Sequence, residues 1–168
     1  MERCARDDPP VAAAEKPMLE AFLDWQRTTL LCKLDGLNDE ELRRPHEPSR
    51  LTLLGIVKHL ADVERSWFRD VFAGEDLSAE WDPNDRNRYW RIEPDETTDQ
   101  ILAFYRGEIE RARALVRDAD LDEPARNPGT GQAGLILRWI VVHMIEETTR
   151  HVGHADLMRE AIDGQTGE

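Results

Sequence analysis

The chain has 168 residues, 40% hydrophobic and 34% charged, and its 35 acidic against 22 basic side chains give a formal net charge of −13. That length suits one domain with a real core and is cramped for two. The acidic balance disfavours nucleic acid and anionic membrane as partners, because both need a basic footprint, and no run approaches the ~20 apolar residues of a membrane span.

The opening stretch MERCARDDPPVAAAE mixes charge, proline and alanine without an apolar h-region. It reads as a disordered tail over residues 1–15 and not as a signal peptide. Cys4 in that tail and Cys32 in an apolar helical run are the only cysteines. Two so placed predict neither a disulfide framework nor a zinc motif, and make Cys32 a small core residue in a reducing cytoplasm.

The first helix is expected from about Pro17 to Leu37, with Leu19, Phe22, Leu23, Leu30, Leu31 and Leu34 at helical spacing. The capping-box pattern Asn38-x-x-Glu41 then starts a short helical turn that Pro45 ends. A second helix runs from the N-cap candidate Thr52 to about Phe72, ahead of Gly74. Ile56, Leu60, Val63, Trp67 and Val71 form its expected inward face, and His59 falls on that face.

Residues 74–96 are polar and turn-rich yet hold Trp81, Tyr89 and Trp90. A connection this long is either functional or crosses the length of a bundle. A second capping box, Thr97-x-x-Gln100, opens a third helix through Ile101, Tyr105, Ile109 and Val116. The last helix is expected over about Leu135–Ile162, with Gly164 as its stop. Four long helices, one long crossover and no alternating strand pattern predict an all-α four-helix bundle over residues 16–163, followed by a short tail, 164–168.

In the last helix Ile136, Ile140, His143, Glu147, His151, His154 and Met158 follow at steps of three or four and make one stripe. Its ends are apolar, so its polar middle is partly buried, and a buried carboxylate needs a partner or a metal. Glu147 and His151, one turn apart, can converge on one ion. His143 and Glu147 have the same spacing, so spacing leaves open which of them is the ligand. A further ligand must come from another helix, where His59 is the one inward-facing histidine; His46 sits in a Pro-flanked loop. Two imidazoles and a carboxylate suit zinc or another borderline divalent ion with an open position. Paired Glu-x-x-His motifs and His-Glu-x-x-His are both absent, which argues against a di-iron bundle and a zincin.

The segments LLGIVKHLADVERSWF and HMIEETTRHVGHADLMREAIDG resemble the DinB/YfiT-like superfamily. Within it they are similar to actinobacterial-type DinB members and to the metal-binding domain of mycothiol-dependent maleylpyruvate isomerase. The resemblance covers about residues 15–163. It implies an up-down-down-up four-helix bundle with the long crossover between helices two and three. It also implies a divalent metal, zinc or nickel, held by His59, Glu147 and His151. His154 stands where many members carry glutamine, so it and His143 are assigned to the surroundings of the metal. The family's enzymes include S-transferases of low-molecular-weight thiols. The resemblance thus implies a cytoplasmic, homodimeric, metal-dependent thiol S-transferase acting on a small electrophile, without a catalytic residue separate from the metal site. The competing readings are a metal-dependent hydrolase and a non-enzymatic metal-binding dimer. Trp81, Tyr89 and Trp90 would roof the pocket or simply pack the crossover.

Overall fold

The computed structural model describes residues 4–77, 85, 87–129 and 132–167. Its elements are α1 (Glu15–Cys32), α2 (Asp39–Leu42), α3 (Leu53–Glu64, continued by a π-helical stretch Arg65–Phe72), α4 (Thr98–Val116) and α5 (Leu137–Asp163). Among the described residues there is no strand, only two isolated bridges, His46 with Leu51 and Pro124 with Ile136. None of the helices is long and apolar enough to cross a membrane. The chain is thus all-α, and its contacts divide it into two compact units, Met1–Leu53 with Val141–Glu168, and Leu54–Ile140.

In the first unit α1 begins at Glu15, two residues before the expected start. Pro17 is tolerated there because the first turn's N–H groups lack intrahelical acceptors. The helix ends at Cys32, and a turn completed by Gly36 (φ 77°) follows. Arg159 of α5 is 4% exposed and donates from Nη1 to the carbonyls of Lys33 (2.9 Å) and Asp35 (2.8 Å). Those carbonyls have no helical partner, so a buried guanidinium caps α1 from α5. Lys33 and Asp156 pair beside it at 2.6 Å. The Asn38–Glu41 capping box forms as expected.

The cysteines overturn their expectation. Cys4 and Cys32 are joined in a disulfide with Cα atoms 5.5 Å apart. The Arg6 guanidinium also donates to Thr29 Oγ1 (3.1 Å) and lies over the Trp25 ring. Residues 4–14 contain no helix or strand, but three separate contacts fasten them to α1. A reducing compartment inferred from unpaired cysteines loses its support. The pairing escaped notice because it joins positions 28 apart with no local motif. Closing a loop of 28 residues removes about 3.6 kcal/mol of unfolded-state entropy. Residues 5–14 would also gain freedom in the folded, reduced protein, so Cys32→Ser is expected to destabilise by about 2–3 kcal/mol. Urea denaturation of the variant against the oxidised protein checks this.

In the second unit α3 buries Leu54, Ile56, Val57, Leu60 and Ala61. Beyond Leu60 the expected stripe fails. Val63, Trp67 and Val71 are only half-buried, whereas Glu64, Phe68 and Phe72 are 1%, 1% and 5% exposed. The buried residues Ala61, Glu64, Phe68 and Phe72 also recur at steps of three and four, so two neighbouring stripes fit the same period, and the charge of Glu64 hid the one that turns inward. From Arg65 to Phe72 the helix is π-helical. The stretch ends at Gly74 (φ 70°), where an added Cβ would come within 3.0 Å of Arg126 Cβ, so position and conformation both require glycine. Arg126 and Asn127 donate backbone N–H groups to Phe72 O (3.1 Å) and Val71 O (3.0 Å), closing that helix end.

Thr97 caps α4 in the expected box with Gln100. α5 starts at Leu137 and not at Leu135, because Leu135 and Ile136 are engaged with the segment at 123–125. Ala125 N–H reaches Leu135 O (2.9 Å) and Leu137 N–H reaches Glu123 O (3.0 Å).

Candidate metal centre and adjoining cleft

His59 sits on α3 at the edge of its buried stripe and is half-buried. Its imidazole stacks on Trp90 with ring centroids 3.7 Å apart and planes 14° from parallel. The neighbouring Lys58 donates from Nζ to Arg91 O (2.8 Å) and pairs with Glu96 (2.7 Å). Glu96 in turn accepts from Glu93 N–H (2.7 Å), and Arg91 pairs with Asp85 and Glu93. These bonds hold Arg91 well above the ordinary guanidinium range, the Asp85 hydrogen bond contributing most. The described part of the long connection is therefore tied down beside His59 by charged hydrogen bonds.

A cleft of ≈ 220 Å³ opens next to His59, with Val63, Trp67, Leu77 and Tyr89 among its apolar walls and Asp62, Arg65 and Asp70 among its polar ones. Trp67, on the π-helical stretch, lines this cleft and leans on Trp139 (ring centroids 5.4 Å). Asp62, Arg65 and Tyr89 also line a wider, more polar cleft of ≈ 650 Å³ that includes Lys58, Arg88 and Phe104. Tyr89 and Trp90 thus both have places beside His59, while Trp81 lies outside the described residues.

On α5 the polar middle of the stripe is a chain of hydrogen bonds. His151 is 6% exposed, and its Nε2 lies 3.1 Å from Glu147 Oε1. Arg150 donates to Glu147 Oε2 (2.8 Å) and to Glu146 Oε1 (2.6 Å), so it orients the candidate carboxylate as well as making the expected surface pair with Glu146. His154 Nδ1 lies 3.3 Å from His151 Nδ1. Burial pushes the His151 imidazole below its ordinary value, and the Glu147 carboxylate opposes the shift without reversing it. The ring is then neutral at neutral pH, the form that ligates metals. A carboxylate only accepts, so without a cation the neutral ring donates an Nε2 proton to Glu147 Oε1, and a bound cation would take that proton's place.

Of the five residues assigned to the metal and its surroundings, His59, Glu147 and His151 each offer a ligand atom, and these atoms lie within 4.8 Å of one another. His143 is outside this group and faces Glu146 at 3.8 Å; His154 adjoins it through His151. Two nitrogens and a carboxylate oxygen, one side chain of the three nearly fully buried, are a donor set that fits a divalent cation. Sequence reasoning missed Arg150's hold on Glu147 and the stack of Trp90 on His59. The first had a signal, the i, i+3 spacing; the second, between residues 31 apart, had none.

No curated protein gives a significant match to this sequence. The mycothiol S-transferase family model matches residues 18–164, nearly the whole chain and both of its histidine-bearing helices. The chain therefore belongs to the mycothiol S-transferase family, a DinB/YfiT-like family.

Proposed function

We propose that this protein is a divalent-metal-dependent S-transferase, joining a low-molecular-weight thiol of the mycothiol type to an electrophilic small molecule. One observation carries the reading: three ligand atoms of His59, Glu147 and His151 gather within 4.8 Å in a chain of this family. Two imidazole nitrogens and one carboxylate oxygen favour zinc, with nickel next, and fall one short of the four donors of a closed zinc site. An ion held there supplies the Lewis acidity that keeps a thiol in its nucleophilic thiolate form at neutral pH.

The chain's own residues do the rest. His151 offers a neutral nitrogen, with its other nitrogen engaged by His154. Arg150 fixes the Glu147 carboxylate. Val63, Trp67, Leu77 and Tyr89 give the electrophile an apolar wall beside His59. The thiol is itself the nucleophile, so no catalytic side chain separate from the metal ligands is assigned. Around this site we read the helices as an up-down-down-up four-helix bundle whose second and third long helices are joined by the crossover at 74–96. The protein is taken to work as a homodimer in the cytoplasm.

Metal analysis of protein purified without chelator, followed by conjugation assays with a thiol and an aromatic halide, tests the reading. The expected result is one divalent ion per chain and thiol consumption that chelation stops. Ester or amide hydrolysis without thiol would replace the transferase by a hydrolase. A bound ion with no thiol affinity would leave a metal-binding dimer.

A further inference from the structure

His59 stands apart from Glu147 and His151 in how it is held. The α5 pair is oriented by its own helix, through Arg150 and His154 at spacings of three. On α3 the residues before and after His59 include Leu60, which is 1% exposed, and Lys58, which turns away to Arg91 O and Glu96. The His59 ring lies against the face of Trp90, at 3.7 Å and 14°. Trp90 follows Tyr89, which lines the cleft, and precedes Arg91, whose carbonyl Lys58 holds at 2.8 Å.

We infer that Trp90 is a positioning residue for the metal centre: stacked on His59 and clamped by Lys58, it fixes the imidazole in its ligating orientation. The inference rests on the reading of His59 as a metal ligand. Two effects act together. A ring held against an aromatic face has little rotational freedom left to lose when it ligates. An imidazole that gains positive character on ligation is also favoured by the electron-rich face of an indole. Lys58 contributes indirectly, since Arg91 O and Glu96 are what keep residues 90–96 against α3. Trp90 does not touch the reacting atoms in this scheme, so its loss acts on metal affinity and through it on turnover.

The test is a Zn²⁺ titration against a competing chelator, on the full chain and its His59→Ala, Trp90→Leu, Trp90→Phe and Lys58→Met variants. It is paired with imidazole NMR of the metal-free protein. The indole ring current should shift the His59 ring protons upfield, and Trp90→Leu should remove that shift. Trp90→Leu is expected to weaken Zn²⁺ binding by about 10-fold or more, the scale on which residues supporting metal ligands act. Trp90→Phe, which keeps an aromatic face, should restore most of the affinity, and Lys58→Met should fall between. Zn²⁺ binding by Trp90→Leu as tight as wild type overturns the inference and leaves the metal site standing. Absence of Zn²⁺ binding in the wild type, or undiminished binding in His59→Ala, removes the ligand reading and this inference with it. If Trp90→Leu does not fold, Lys58→Met decides: unchanged affinity there overturns the role of the clamp.

Discussion

Replacing His151 by alanine is expected to abolish divalent-metal binding and the stability that binding confers. His151 is the most buried of the three candidate ligands, and its Nε2 is 3.1 Å from Glu147 Oε1. Its loss leaves two donors, one of which already shares its charge with Arg150. The affinity should drop more than about 100-fold, beyond what supporting residues contribute. A ligand present at 100 times its dissociation constant stabilises the fold by about 2.7 kcal/mol. For a chain of this size that is about 5–10 °C in Tm. Zn²⁺ should therefore raise the wild-type Tm by that amount and leave His151→Ala unmoved. His143→Ala is the control. That side chain pairs with Glu146 outside the cluster, so its variant should respond to Zn²⁺ as wild type does. Equal Zn²⁺ stabilisation of wild type and His151→Ala would remove His151 from the metal centre.

The second large effect concerns stability alone. Glu108 on α4 is 1% exposed and accepts from Arg69 Nη1 at 3.0 and 3.3 Å and from Arg111 Nη1 at 2.6 Å. Arg69, on the π-helical stretch, also donates from Nε to Glu75 at 2.7 Å. Burial works against the Arg69 charge, but the hydrogen bonds and charges of Glu75 and Glu108 override it and hold the guanidinium above its ordinary value. Truncating Glu108 strands much of that charge beside α4. Breaking a fully buried pair costs about 3–5 kcal/mol. Arg69 keeps Glu75 and some solvent, so Glu108→Ala should cost about 2–3 kcal/mol, read by urea denaturation. Arg111, with 61% of its side chain exposed, should contribute under about 1 kcal/mol. A double-mutant cycle of Arg69→Ala with Glu108→Ala isolates the pair. Additive losses would show that the contact contributes no coupling.

What could be read from the sequence was local. Both capping boxes, Asn38 with Glu41 and Thr97 with Gln100, form where their three-residue spacing put them, because the motif carries both of its hydrogen bonds within itself. Gly74 and Gly164 take positive φ at the helix ends for a similar reason. The stripe on α5 held Glu147 and His151, but it held His143 at the same spacing, and the resemblance, not the period, chose between them. On α3 the same reasoning worked as far as Leu60 and then gave Val63, Trp67 and Val71 in place of Glu64, Phe68 and Phe72. Both sets recur at steps of three and four, so periodicity could not choose between them, and a charged residue at 64 argued for the wrong one. Contacts between distant positions were equally hidden: Cys4 with Cys32, Arg69 with Glu108, and Trp90 with His59 each depend on how the chain returns on itself.

The disulfide meets an awkward reagent in this setting. A thiolate that can attack a carbon electrophile can also attack a sulfur–sulfur bond, through a mixed disulfide and at a rate set by its thiolate fraction and its access. The cosubstrate proposed for this protein and the reductant of Cys4–Cys32 would then be the same class of molecule. Assay mixtures rich in thiol would convert an oxidised preparation, as turnover proceeds, into one whose leading segment is held to α1 by Arg6 without the covalent link. A curved progress trace in such an assay could report this change of redox form as well as substrate depletion, so thiol counts taken before and after turnover belong beside the kinetics.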